Sequence, residues 1–130
     1  MVRQLEDLPL LREEIATALK AAGFHAVDYA AARLAPPAAV VVPGTPYLTD
    51  TDEALGFGQM TVRYDVLLIV GRADNEKAAD DIDAQIIGAL TALHEWDLTD
   101  VAQPGLVTLN GTQHLGTVLS IQDTIKLGAQ

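Results

Sequence analysis

The sequence contains no cysteine, which excludes disulfide bonds, thiolate catalysis and metal sites built on cysteine. Aromatic residues make up only 5% of the 130 residues, so the interior has to be filled mainly by Ala, Val, Leu and Ile. Basic residues are also few, because 8 Lys and Arg against 18 Asp and Glu give a formal net charge of -10. This balance disfavours general binding to nucleic-acid phosphates and to anionic membrane surfaces.

Long apolar runs are absent as well. No segment reaches the roughly 18 consecutive apolar residues of a membrane span, and the first seven residues lack the apolar run of a signal peptide. We therefore expect a soluble protein that is made in the cytoplasm. What the chain does have is 49% hydrophobic residues, and its length favours a single folded domain over residues 1–130.

The segment from Gly58 to Arg72 carries the clearest strand pattern. One face is formed at period two by Met60, Val62, Tyr64, Val66, Leu68 and Val70. The opposite face begins with the polar residues Gln59, Thr61, Arg63 and Asp65 and continues with the apolar residues Leu67 and Ile69. This pattern predicts a central strand whose first half is covered on one side and whose second half is covered on both.

Two segments have apolar residues spaced three and four positions apart, which is typical of amphipathic helices. The first helix is predicted from Leu5 to Ala22, with Asp7 as its N-cap. The second is predicted from Glu76 to Trp96, capped by Asp74 or Asn75. Its expected buried stripe consists of Ala79, Ile82, Ile86, Leu90 and Leu93.

Short strands are predicted before the central one, at Phe24 to Tyr29 and at Ala38 to Val42. Residues 97–105 are predicted to form a loop. Leu106 to Leu109 and a long strand from about Gln113 should form a hairpin, because Asn-Gly at positions 110 and 111 favours a tight turn. We expect the long last strand to be half-exposed, as a sheet edge or a subunit contact.

The segment from Pro43 to Phe57 is predicted to be an unusually long connection, and such loops are often functional. Its acidic residues allow a calcium site, but the Gly and the distal Glu of an EF-hand are missing. The loop also carries four large apolar residues, Tyr47, Leu48, Leu55 and Phe57. These side chains either fold back on the domain or form an arm that docks on a neighbouring subunit.

Together these elements predict an α+β fold: a mixed, mainly antiparallel sheet with two helices packed on one face. The spacing of the reactive residues shows no catalytic constellation. His94, with Glu95 or Asp97, is the only candidate for acid–base chemistry. We therefore predict no enzymatic activity, no cofactor and no metal.

The order and local patterns of these elements resemble a known family. A Leu- and Ala-rich helix precedes Pro-Pro-Ala-Ala-Val-Val-Val-Pro at 36–43, and Phe-Gly-Gln-Met-Thr-Val-Arg-Tyr-Asp-Val-Leu-Leu-Ile-Val-Gly-Arg follows at 57–72. A helix with an acidic start and the apolar residues Ile82, Ile86, Leu90 and Leu93 comes next. This layout resembles the tail terminator, or tail completion, proteins of long-tailed bacteriophages, especially those of actinobacterial hosts, over nearly the whole chain.

The resemblance implies a structural protein of the virion, located in the neck region of the tail and assembled in the host cytoplasm. Such proteins form a homo-oligomeric, hexameric ring on the finished tail tube. The ring contacts the major tail tube protein and a head-side connector protein, and it ends tube polymerisation. DNA passes through the ring without specific binding, and we expect the acidic excess to line the inner wall.

On this hypothesis the subunit interface is built from the long loop and from the polar face of the central strand. The residues expected there are Tyr47, Leu48, Leu55, Phe57, Gln59, Thr61 and Arg63. Two alternatives stay open from the sequence. One is another neck component, such as a head-closure or connector protein, and the other is a small cytoplasmic enzyme built around His94.

Overall fold

The computed structural model describes residues 3–4, 7–27, 37–50, 59–72, 77–109 and 111–126. In chain order these residues form β1 (Arg3–Gln4), α1 (Leu8–Ala21), β2 (His25–Val27), β3 (Ala38–Asp50), β4 (Gln59–Arg72), α2 (Ala78–Ala92), β5 (Asp97–Val101), β6 (Gly105–Leu109) and β7 (Thr112–Lys126). The strands lie in one sheet in the order β1-β7-β4-β3-β2, and β5 and β6 also pair with β7. The sheet is mixed and mostly antiparallel, which confirms the predicted α+β class.

Both helices pack against the same face of this sheet, as predicted. A single buried cluster contains Leu11, Ile15 and Leu19 of α1 together with Ala89 and Leu93 of α2. The sheet residues in this cluster share one face, as shown by Val41, Val66 and Leu119, which are aligned across three neighbouring strands. Because the helices also contact each other, they form one continuous layer.

The ends of α1 follow the residues that flank it. Pro9 lies in the first turn, where its missing N–H costs no helical hydrogen bond. Asp7 occupies the N-cap position, but its side chain makes no capping hydrogen bond. At the other end Gly23 has a φ of 102° and its N–H donates to the Lys20 carbonyl at 3.0 Å. A left-handed glycine with this bond is a common way to end a helix.

The second helix is shorter than the sequence predicts. It begins at Ala78 with Lys77 in the N-cap position, whereas the predicted caps Asp74 and Asn75 lie outside the described residues. Ile82 is buried as expected, but Ala79 is exposed. The buried stripe of α2 therefore starts one turn later than the apolar spacing suggests.

The largest difference from the sequence prediction is in β3. This strand does not end at Pro43 but continues to Asp50, and it pairs with β4 on both sides of a register irregularity between Pro43 and Leu48. The prolines are tolerated because β2 pairs with β3 only at residues 38–40, which leaves the rest of β3 as an edge strand among the described elements. The predicted loop is therefore wrong for residues 43–50, and residues 51–57 lie outside the described part.

The predictions for β5 and β7 also need correction. Residues 97–101 form a strand where a loop was expected, and β5 pairs with β7 through a register shift between Leu98 and Asp100. The strand β7 is central and not an edge, because β4 lies on one side and β6, β5 and β1 follow one another on the other. Sequence alternation could not reveal these partners, since they come from distant parts of the chain.

The C-terminal hairpin is confirmed. Leu109 and Thr112 are aligned across the turn, and Gly111 has a φ of 79°, the positive value that tight hairpin turns require. Gly116 allows close strand packing, because a Cβ there would lie 2.8 Å from both the Leu68 carbonyl oxygen and the Val107 Cγ2 atom. Among the described residues, no helix has both the length and the hydrophobicity needed to cross a membrane.

Candidate subunit interface

The face of the sheet opposite the helices carries a continuous group of polar side chains, which we call the polar sheet face. Its members are Thr49, Thr61, Arg63, Asp65, Ser120, Gln122 and Thr124, and all are partly buried. The strand register brings them together, since Thr61 is aligned with Thr49 and Thr124, and Arg63 with Gln122. Residues from three strands thus form one surface.

Toward the other end of β4 the same face becomes apolar. Ala38, Val40 and Ile69 are buried there, and Leu67 and Val118 are partly buried. This change along the strand agrees with the predicted coverage of β4 on one side in its first half and on both sides in its second half. The polar sheet face therefore has an apolar boundary on one side.

Arg63 is held in place at the centre of the polar sheet face. Its guanidinium Nη1 donates a hydrogen bond to Thr49 Oγ1 at 3.0 Å. The backbone of β3 passes close to its base, because a Cβ at Gly44 would lie 2.8 Å from the Arg63 Cβ. The hydrogen bond to Thr49 therefore restrains the guanidinium before any partner binds, which reduces the entropy cost of binding through it.

A second set of hydrogen bonds joins β4, β7 and β5 on this face. Ser120 Oγ donates to Asp65 Oδ1 at 3.0 Å, and Thr99 Oγ1 donates to the Ser120 carbonyl at 2.8 Å. Asp97 and Asp100 are exposed beside them on β5. The polar sheet face thus combines one fixed arginine with carboxylates along its border, and such a surface can select partners by charge.

The interface residues predicted from the sequence lie in different parts of the fold. Thr61 and Arg63 lie together on the polar sheet face, and Gln59 is aligned with Lys126 at the start of β4. Tyr47 and Leu48 instead belong to β3 and pack against the chain's own buried cluster. Leu55 and Phe57 lie outside the described residues, so their expected contact with a neighbouring subunit stays a prediction.

Tyr47 is part of an aromatic group that includes Tyr64 and Trp96. The rings of Tyr47 and Tyr64 meet edge to face with centroids 5.4 Å apart, and those of Tyr64 and Trp96 do so at 5.8 Å. The two tyrosine hydroxyls share a hydrogen bond of 2.8 Å. Burial, and then this bond, raise the pKa of Tyr64 well above its usual range. These contacts give Tyr47 a structural role inside its own domain.

Sequence reasoning did not assign Thr49, Ser120, Gln122 or Thr124 to a site with Arg63. The alternation of polar residues along β7 predicted a half-exposed strand, and Ser120, Gln122 and Thr124 are indeed partly exposed on one face. The missing information was the register with β4, which depends on pairing over more than fifty positions. Thr49 was missed because Pro43 and Pro46 led to the prediction of a loop where β3 continues.

His94, the residue considered for acid–base chemistry, lies just after the end of α2. It is exposed, and its Nδ1 atom lies 3.1 Å from the Thr91 carbonyl oxygen of the same segment. Glu95 and Asp97 are exposed as well. Within the described ranges, no group of three or more His, Asp or Glu side chains is arranged to hold a metal ion.

Comparison with known proteins adds no family assignment. No protein-family model matches the chain, and no curated protein matches it significantly.

Proposed function

We propose that this protein is a structural subunit of a ring that caps the tail tube of a long-tailed bacteriophage, ends tube polymerisation and provides the surface for head joining. Its place would be the neck region of the virion. The resemblance in element order supplies the family hypothesis. The observed α+β fold supports it, because the helices and the central strand occur in the proposed order.

The observation that carries the proposal is the polar sheet face with its fixed arginine. Arginine is enriched among the residues that contribute most to protein–protein binding, and here a hydrogen bond to Thr49 restrains Arg63. A sheet surface with partly buried polar side chains fits a subunit contact that forms during assembly. Interfaces of this kind have a polar rim and retain water.

A ring of identical subunits needs two different contact surfaces on each subunit. Such a head-to-tail interface closes into a ring when the rotation per subunit fits, and otherwise it forms a filament. On our proposal, the polar sheet face is one of these surfaces. We also propose that part of the acidic excess behind the net charge of -10 lines the inner wall of the ring, where it would repel the DNA backbone and so allow passage.

The direct test is to silence the gene in the phage that encodes the chain and to image the lysate by negative-stain electron microscopy. We expect tails of uncontrolled length that are not attached to filled heads. Tails of normal length without heads would assign the protein to head–tail joining instead. Normal infectious particles would overturn a role in the virion altogether.

Complementation with variants tests the polar sheet face itself. Arg63→Glu reverses the fixed charge and should fail to restore normal tail length. Lys20→Glu makes the same change at an exposed position near the end of α1 and should restore it. Equal rescue by the two variants would exclude the polar sheet face as the subunit contact. Circular dichroism of both purified variants checks that each one folds.

A further inference from the structure

The outer edge of β6 differs from the free edges of β3 and β5. Edge strands are normally protected against pairing by prolines, charges or bulges. The free edge of β3 contains Pro43 and Pro46, and β5 has a register shift and two aspartates. Gly-Leu-Val-Thr-Leu of β6 has neither proline nor charge, and its pairing with β7 is regular.

The backbone of β6 presents hydrogen-bonding groups at this edge. Because Leu109 and Thr112 flank a two-residue turn, their backbone groups bond to each other across it. Hydrogen-bonded pairs alternate along an antiparallel ladder, so Val107 and Gly105 also bond to β7. The N–H and C=O groups of Leu106 and Thr108 consequently point outward, away from β7.

A large apolar side chain accompanies these groups. Leu106 is 64% exposed, although it lies within a regular strand. Its alignment with Leu115 places it on the helix side of the sheet. An added strand would therefore gain both backbone hydrogen bonds and apolar contact.

We propose that this edge pairs with the same edge of a second copy of the chain, in antiparallel orientation about a two-fold axis at Val107. In this register Leu106 of each copy lies opposite Thr108 of the other. The outward N–H groups of Leu106 and Thr108, four in the two copies together, then each donate to a carbonyl oxygen of the other copy. The two Leu106 side chains lie diagonally on one face, within reach of each other.

Two acidic copies can meet at this edge without bringing like charges into contact. Two chains of net charge -10 repel each other through most of their surfaces, but β6 brings no charged side chain into the contact. The antiparallel arrangement also keeps Asp97 and Asp100 of one copy at the opposite end from those of the other. A five-residue strand buries little surface, so the pair is weak and depends on concentration.

This inference does not depend on the proposed ring, because β6 is separate from the polar sheet face. Its register can be tested by cysteine cross-linking, for which the chain has no competing thiol. Val107→Cys places two thiols directly opposite each other, at a Cα separation of about 4.5 Å, which suits a disulfide. Thr108→Cys is the matched control. In the proposed register the two cysteines would be diagonal neighbours, about 7–8 Å apart, which is too far for a disulfide.

We expect Val107→Cys to form disulfide-linked dimers under mild oxidation at least about tenfold faster than Thr108→Cys, which corresponds to roughly 1.4 kcal/mol. Equal rates would overturn the register. Circular dichroism before oxidation confirms that both variants are folded. If Arg63→Glu did not affect tail length, that outcome would count against the proposed ring only. The cross-linking of Val107→Cys would be unaffected by it.

Sedimentation of the cysteine-free chain tests the contact without cross-linking. Leu106→Lys should weaken the dimer by about tenfold or more. It places two lysines, one from each copy, near each other at the pairing edge, and it removes the apolar contact between the two leucines. Leu98→Lys changes a leucine that is 44% exposed on β5 and should leave the dimer unchanged. A wild-type chain that stays monomeric at high concentration, or an equal effect of the two variants, would overturn the proposal.

Discussion

The two tyrosines that share a hydrogen bond are not equivalent, because only one of them can reach water. Tyr64 has no exposed surface, whereas Tyr47 is partly exposed. Tyr47→Phe therefore leaves a buried hydroxyl without a partner, which costs about 1–3 kcal/mol of unfolding free energy. Tyr64→Phe removes that buried hydroxyl, and water can replace the partner of Tyr47, so we expect a smaller cost of about 0.5–1.5 kcal/mol.

Urea unfolding of the two variants beside the wild type measures this difference. The comparison is matched, because each variant loses one hydroxyl and keeps its ring in the edge-to-face contact. If Tyr64→Phe were the more destabilising of the two, the hydrogen bond would matter less than another contact of the Tyr64 hydroxyl.

Gly116 and Gly105 form a second matched pair, since they are aligned on neighbouring strands. A Cβ at Gly116 would lie 2.8 Å from a backbone oxygen of β4, whereas a Cβ at Gly105 meets nothing within 4 Å. We expect Gly116→Ala to cost about 1–3 kcal/mol through overpacking. Gly105→Ala should be nearly neutral or slightly stabilising. Thermal unfolding of both variants tests this, and equal melting temperatures would contradict it.

The second half of β3 changes the expected result of a deletion. If residues 43–57 were all loop, removing residues 46–55 would leave the fold intact. Because Tyr47 and Leu48 pack on the core and residues 48–50 pair with β4, we now expect this deletion to destabilise the domain severely. Deleting only residues 51–56 spares β3 and leaves three residues to join Asp50 to its partner Met60, a length that suits a hairpin.

Circular dichroism and thermal unfolding of the two deletion variants distinguish these cases. The shorter deletion should keep a cooperative transition, and the longer one should lose it or show a large fall in melting temperature. A longer deletion that unfolds like the wild type would mean that residues 46–50 contribute little to the core.

Elements with a strong local pattern were predictable from the sequence. The alternation from Met60 to Val70 gave β4, the three-and-four spacing gave both helices, and Asn-Gly at 110 and 111 gave the hairpin turn. In each case the signal lies within a few residues of the element it determines. The fold class follows from these elements, because two amphipathic helices and a half-polar sheet can bury their apolar surfaces in few ways.

Elements that depend on distant partners were not predictable. Pro43 and Pro46 suggest a loop, and they are acceptable in a strand only because no other described element pairs with that side of β3. For β5, Asp97 and Asp100 gave no apolar alternation, so pairing with β7 could not be foreseen. The same holds for the polar sheet face, where Arg63 was identified but its partner Thr49 was not.

For the whole molecule, the acidic excess should govern how self-association responds to salt. Subunits of net charge -10 repel each other, and screening shortens the range of this repulsion from roughly 30 Å at 0.01 M salt to roughly 3 Å at 1 M. We therefore expect self-association, measured by sedimentation, to strengthen as sodium chloride is raised. An interface held by ion pairs would weaken instead.

A charge variant separates this general effect from a specific contact. Asp80 and Asp81 are exposed in the first turn of α2, which packs on the face of the sheet opposite the polar sheet face. Replacing both by Asn removes two negative charges and changes no residue of β6 or of the polar sheet face, so self-association at low salt should be stronger and its salt dependence weaker. An unchanged salt dependence would show that the response arises within the contact itself, and Arg63 and the carboxylates beside it would then be the groups to vary.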